Sequence, residues 1–135
     1  LTPSEKNPQV MVQRCRDFWT ALGCRAESLP SDIHDQILAR TSHLPHILAS
    51  VLASLVSREE KIFTAGGWRD TTRIASGNPD LWEGILMSNS FAIQQALERL
   101  TEKVNEFRFA LANEDPTRLR QLLVEGKVVR DDLGS

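Results

Sequence analysis

The side chains best suited to chemistry lie in two stretches of the 135-residue chain, 34–49 and 65–82. The first holds His34, His43 and His46. His43 and His46 are three residues apart, so a helix would set both imidazoles on one face, a turn before Ser50. Pro45 between them removes a backbone donor and bends the chain, which makes this spot a natural pocket wall. The competing reading is a pair of satisfied core or boundary histidines. The second stretch holds Arg73, after Gly66-Gly67 and before Ile-Ala-Ser-Gly-Asn-Pro. A guanidinium is a rigid fork of donors suited to a carboxylate, so Arg73 is where a small dianionic acid would dock. The alternative for Arg73 is a surface ion pair with Asp70 or Asp80. Trp68 and Trp82 are aromatic anchors nearby whose default role is packing.

Other chemistries find less support. Zinc or a di-metal centre would need more than His43, His46 and the His34-Asp35 pair or a cysteine. That pair resembles the HD signature of metal-dependent phosphohydrolases, but such sites draw further His and Asp ligands from separate helices, and no other histidine exists. No metal is therefore expected. Cys15 and Cys24 have no adjacent base, nothing supports a Ser-His-Asp order, and the seven glycines form neither GxGxxG nor GxxxxGK[ST].

The elements that position these residues read as helices. Asn7 and Pro8 suit the start of a helix that Gly23 closes, with Val12, Cys15, Phe18, Trp19 and Leu22 on one face. Residues 24–29 alternate weakly, as a short strand could. Ser31 or Asp32 caps a second helix running to Val56, interrupted at Pro45. From Leu44 it is apolar nearly all round, which predicts a central position. A long loop, 62–80, follows, with a helical turn at 70–75 closed by Gly77; so long a connection is more often functional than idle. Asn78 and Pro79 begin a third helix reaching about Asn113. Along it Ile93, Leu97, Leu100, Val104, Phe107 and Leu111 make a heptad seam flanked by Glu98, Arg99, Glu102, Lys103 and Glu106. This seam is either an ordinary core face or the contact of two long helices, within the chain or between subunits. Asp115-Pro116 opens a last short helix to Gly126. The fold class is all-α.

Composition narrows the partners. Sixteen Lys+Arg against eighteen Asp+Glu give a net charge of -2, which argues against a nucleic-acid surface. No apolar run reaches the ~18 to 20 residues of a membrane span. Two cysteines without CxxC spacing fit reduced thiols in a cytoplasmic protein. The chain opens on Leu1 rather than Met and is expected to be a piece of something longer.

Together, HDQILARTSHLPHILA (34–49) and AGGWRDTTRIASGNPDLW (65–82) resemble the C-terminal helical domain of prephenate and arogenate dehydrogenases. The resemblance covers most of the chain. It implies that 1–30 is the tail of, and linker from, a Rossmann domain outside this sequence, and that 31–135 is a helical substrate-binding and dimerisation domain. It also implies an enzyme that oxidises prephenate to 4-hydroxyphenylpyruvate, or arogenate to tyrosine, releasing CO2 and passing hydride to NAD or NADP held by the other domain. The helical domain would form a homodimer, in keeping with the heptad seam. By the same resemblance Arg73 binds a substrate carboxylate, and His46, His43 and Ser42 line the substrate end of the cleft. Gly66 approaches the substrate through its backbone, and Trp82, at the start of the long helix, reaches the neighbouring subunit's site. The family's acid–base histidine belongs to the other domain, so no catalytic residue is expected here and the fragment alone is expected to be inactive. The rival reading is a free-standing helical module that only dimerises or binds a partner helix.

Overall fold

A computed structural model describes residues 1–134, and their regular structure is helical throughout. The chain divides into two compact units, one ending at Ala96 and one starting at Leu97.

The first unit opens with α1, Gln9–Ala21, which ends where Gly23 takes a positive φ of 81° and Cys24 N–H reaches back to the Trp19 carbonyl. Asn7 does not cap it. Its side-chain oxygen accepts instead from the backbone N–H and hydroxyl of Ser4, at 2.7 and 2.8 Å, a local bond that takes the same acceptor. The apolar face expected for α1 is present, but Phe18, Trp19 and Leu22 remain exposed. Residues 24–29 are extended and not a strand, although Leu1 N–H donates to Glu27 O at 2.7 Å and Leu29 N–H to Leu1 O at 3.0 Å. Those two bonds bracket Ser28 in the pattern of a parallel pair.

α2, Ser31–Leu38, starts after Pro30 without a side-chain cap, so neither Ser31 nor Asp32 plays that part. It then widens into a π-helical turn, Ala39–His43, before α3, Leu44–Leu55. The interruption expected at Pro45 is thus real, and takes the form of one wide, underwound turn just ahead of the proline instead of a break. Where the bonding register changes, side chains supply donors: Arg40 Nε to Gln36 O at 3.2 Å and Thr41 Oγ1 to Ile37 O at 2.8 Å. α3 packs against the π turn and against the segments 66–72 and 73–76, so it is central to its unit as expected, although one face is left bare. His46 and Ala49 are buried, whereas Val51, Leu52 and Leu55 face outward, Leu55 with 72% of its surface exposed.

The stretch expected as a loop is mostly helical. A short 3-10 turn, Glu60–Phe63, precedes α4, Gly66–Thr72, and a second 3-10 turn, Arg73–Ser76, follows it directly. Both α4 and the Arg73–Ser76 turn pack on α3. Asn78 caps α5, Pro79–Ser88, as expected, its oxygen accepting from Asp80 and Leu81 N–H at 2.9 and 3.2 Å. The single helix expected over 79–113 is two: α5 stops at Asn89, and α6 runs Ser90–Ala112.

The second unit is a helical hairpin of the later turns of α6 with α7, Pro116–Asp132, which continues past Gly126 by six residues. Ala110 and Leu122 are its buried contacts. Part of the charge flanking the heptad seam is used within the hairpin: Lys103 reaches Glu106 at 3.1 Å and Glu125 at 3.2 Å, and Arg118 pairs with Glu106. The seam itself is only half covered, with Val104 54% and Leu111 62% exposed. The hairpin turn places Glu114 at a φ of 49°, a left-handed position that favours glycine, and Asp115 caps α7 by accepting from Arg118 N–H at 2.9 Å. Asp115→Ala should lower unfolding free energy by about 1 kcal/mol. Glu114→Gly should leave it unchanged or raise it by up to ~1 kcal/mol. Chemical denaturation of the two variants checks both signs.

Candidate functional site

The first unit gathers His43, His46, Trp82 and Gly77 into one cluster. The π turn ends on His43, and α3 carries His46 on its first turn; each is only 6% exposed. Trp82 comes from α5 and lies flat on His46, ring centroids 3.6 Å apart and planes 12° from parallel. It meets His43 edge-on at 6.5 Å and 83°. Contacts of this kind contribute ~0.5 to 1.5 kcal/mol beyond the area they bury.

Gly77 makes the stack possible. Its φ of -60° is open to any residue, so the glycine is needed for room and not for its torsion. An ideal Cβ there would fall 2.5 Å from Trp82 Nε1, 2.8 Å from Trp82 Cδ1 and 3.1 Å from His46 Cε1. The backbone at Gly77 therefore forms the lid under which the indole slides onto the imidazole. Gly66 differs: a Cβ would meet nothing within 4 Å, so the space beside the start of α4 is open.

His46 Nδ1 is sealed from solvent without a hydrogen-bond partner. Leaving such a group unpaired costs ~1 to 3 kcal/mol, so a buried donor or acceptor without a partner asks for an explanation. His43 has a partner: its Nδ1 lies 3.2 Å from the amide nitrogen of Asn89. Burial holds the His43 pKa below its ordinary value; the Asp35 carboxylate opposes that shift and His34 adds to it.

Arg73 begins the 3-10 turn that ends just before Gly77. It is exposed and has no ion-pair partner among the described residues; neither Asp70 nor Asp80 engages it. Ser42 is half-buried beside His43 in the π turn, and Thr72, next to Arg73, is buried with its hydroxyl on the Trp68 carbonyl at 2.8 Å. A free guanidinium, two imidazoles and open backbone at a glycine suit an anionic ligand of modest size. His34 and Asp35 pair with each other at 3.0 Å, and among the described residues no three His, Cys, Asp or Glu side chains converge as a metal site would require.

Of the residues expected from the sequence, the structure joins His43, His46 and Trp82. It sets Ser42 next to them in the chain, and Arg73 on a turn packed against α3. Trp82 is not on the long helix, because the chain breaks at Asn89; its ring is engaged with His46 of its own chain. Gly77 and Asn89 were not anticipated. The run Ser88-Asn89-Ser90, three weak helix formers in succession, carried the signal for a break. Gly77 carried none, since the need for it is tertiary.

Comparison with known proteins follows the same line. The profile of the family described as Prephenate dehydrogenase, dimerization domain, matches residues 30–125. The chain is 33% identical over 137 residues to a cyclohexadienyl dehydrogenase of Zymomonas mobilis, covering 96% of this chain and 47% of that protein. It is 29% identical over 139 residues to a prephenate dehydrogenase of Bacillus subtilis, covering 98% of this chain and 38% of that one. The chain thus spans less than half the length of these relatives. Among solved structures, prephenate dehydrogenase from A. aeolicus in complex with hydroxyphenyl propionate and NAD+ superposes with a TM-score of 0.85 at 27% identity, over 98% of this chain and 48% of that one. Synechocystis arogenate dehydrogenase shares the fold, with a TM-score of 0.85 at 24% identity over 98% of this chain and 50% of that one.

The close approach at Gly77 gives a direct test. Gly77→Ala should expel Trp82 from His46, lowering unfolding free energy by ~1 to 3 kcal/mol and changing the tryptophan fluorescence of the native state. An alanine variant with wild-type stability and emission would show that the stack does not depend on the missing Cβ.

Proposed function

The chain belongs to the prephenate dehydrogenase dimerization-domain family, and on that premise we propose that it is the substrate-binding and dimerisation domain of a prephenate or arogenate dehydrogenase. In this reading the whole enzyme carries out oxidative decarboxylation, prephenate to 4-hydroxyphenylpyruvate or arogenate to tyrosine, with NAD or NADP as hydride acceptor. Residues 31–135 are the helical domain, and 1–30 belong to the end of a nucleotide-binding domain and its linker. The family match beginning at residue 30 supports that boundary. So do the parallel-type pairing of Leu1 with 27–29 and the apolar face that α1 leaves bare, features of a sheet edge and helix that expect neighbours.

The observation that carries the reading is Arg73. Its guanidinium is exposed and has no ion-pair partner among the described residues, on a turn that packs against α3 and leads straight into the Gly77 seat of the His46–Trp82 stack. An unpaired cation on a turn packed against the helix that carries His46 suits an incoming carboxylate. Arg73 takes that carboxylate, His43, His46 and Ser42 form the wall, and Gly66 offers open backbone to the ligand. Trp82 braces His46, and its partly exposed ring leaves an edge that a dimer would bring toward the neighbouring subunit's site. No residue here serves as the acid–base group. The residues present do not make a dinucleotide-phosphate loop either, since Gly66-Gly67 opens a short helix and no GxGxxG occurs. NAD or NADP is accordingly assigned to the N-terminal domain.

The homodimer reading draws on the family description and on the exposed seam residues Val104 and Leu111. Free, exposed Cys15 and Cys24 suit a reducing compartment, and the cytoplasm is the proposed location. No helix of the described residues is long and apolar enough to cross a membrane.

Arg73→Ala in the full-length enzyme should lower kcat/KM for its substrate by a hundredfold or more, on the scale of a lost charge-assisted contact of ~3 kcal/mol. Arg73→Lys should recover only part of the loss, because an ammonium cannot offer the paired fork. Wild-type kcat/KM in Arg73→Ala would contradict the assignment.

A further inference from the structure

Asn89 stands where α5 gives way to α6, and nothing so far gives it a part in the site. Its amide nitrogen lies 2.8 Å from the backbone carbonyl oxygen of Asp35 and 3.2 Å from Nδ1 of His43. A carbonyl oxygen only accepts, so the end of the amide facing Asp35 is the NH2 and not the oxygen. The second hydrogen of that NH2 then points at His43 Nδ1, which must present a lone pair. A neutral imidazole with a bare Nδ1 carries its hydrogen on Nε2. One backbone carbonyl, which has no alternative protonation state, thereby selects the tautomer of a buried ring through one amide. His43 Nε2 has no hydrogen-bond partner among the described residues, and it is not among the atoms sealed from solvent without one. The hydrogen it carries is free for a ligand.

We propose that Asn89 is a positioning residue that locks His43 as its Nε2–H tautomer, so that the ring donates a hydrogen bond to an oxygen of the bound substrate anion. The proposal rests on the assignment of His43 to the substrate subsite. The lock also ties the site to the helix break: α5 must end at Asn89 for the amide to reach both Asp35 on α2 and His43 on the π turn.

Protonation works against the lock. An imidazolium has hydrogens on both nitrogens, so charging His43 would set Nδ1–H against the Asn89 NH2, two donors face to face. The titratable groups acting on His43 are Asp35 and His34, both from α2, and their effects oppose each other while burial disfavours the charge. From α5 it meets only the uncharged Trp82 and Asn89, and His46 lies one turn along α3. Because the folded pKa is lowered, the unfolded chain takes up its proton first as pH falls through about 6.5, so acidification weakens the fold from there, and the lock in the folded protein is lost only at lower pH, where His43 itself charges.

The test uses the full-length protein with isotope-labelled histidine ring nitrogens, the His43 signals being identified by their loss in His43→Gln. Near neutral pH the wild-type ring should show a hydrogen on Nε2 and none on Nδ1. Asn89→Asp exchanges the donor for a charged acceptor, which should move the hydrogen to Nδ1 and raise the titration midpoint of His43. In the same variant KM for the enzyme's substrate should rise about tenfold with kcat changed less than about twofold. A protonated Nδ1 in the neutral wild-type ring overturns the proposal, and that result needs no variant to fold. So does a folded Asn89→Asp whose His43 signals and midpoint do not move. If His43 responds but KM is unchanged while Arg73→Ala still cripples the enzyme, Asn89 does not position a binding group and the proposal falls. If Arg73→Ala is silent as well, the assignment of the site to substrate has failed, and the substrate part of the proposal fails with it.

Discussion

The candidate site depends on the 3.6 Å contact between the rings of Trp82 and His46, made under a residue with no side chain. Trp82 comes from α5, His46 from α3, and Gly77 from the segment joining the Arg73 turn to α5. The contact therefore fixes three pieces of chain at once. Put a methyl group on Gly77 and the indole must move. His46 then loses its cover. The Arg73 turn packs on α3 without spending the guanidinium on an ion pair among the described residues, which leaves the charge available to a ligand.

Two interruptions of helical geometry set up that contact. The π turn at 39–43 rotates the chain ahead of Pro45, so that His43 and His46 both end up buried. α5 carries Trp82 to the histidines, and the break at Asn89 frees its amide to hold His43 and the Asp35 carbonyl of α2. Each interruption sits beside a residue that cannot serve an ordinary α-helix well: a proline with no donor, and an asparagine between two serines. Their cost in helix stability is offset by contacts between elements, which is the usual bargain at a binding site.

Much of this was legible in the sequence. The all-α class, the caps at Asn78 and Asp115, the disturbance at Pro45, and the pairing of His43 with His46 all follow from local chemistry that a few residues carry by themselves. The misreadings have a common cause. The apolar spacing of α6 continues backward into α5, so periodicity masked the break at Asn89. Gly66-Gly67 reads as a loop, yet α4 begins there because its packing on α3 outweighs the low helix propensity of glycine. Asn7 is a good cap in isolation but is taken by Ser4. α3 is central to its unit, as its apolar character implies, but its outer face is not covered by the described residues. That bare face, the uncovered side of α1 and the exposed seam of α6 fit a chain that spans less than half of its relatives' length.

The central claim is that the exposed Arg73 guanidinium, on the turn that leads into Gly77 of the His46–Trp82 stack, receives a substrate carboxylate. A crystal structure of the full-length protein with hydroxyphenyl propionate, the molecule bound in the A. aeolicus structure, tests it most directly. The account predicts the ligand carboxylate in a charge-assisted bond to Arg73, with His43 Nε2 donating to a ligand oxygen. A ligand bound elsewhere, or one that leaves Arg73 in solvent, would contradict it.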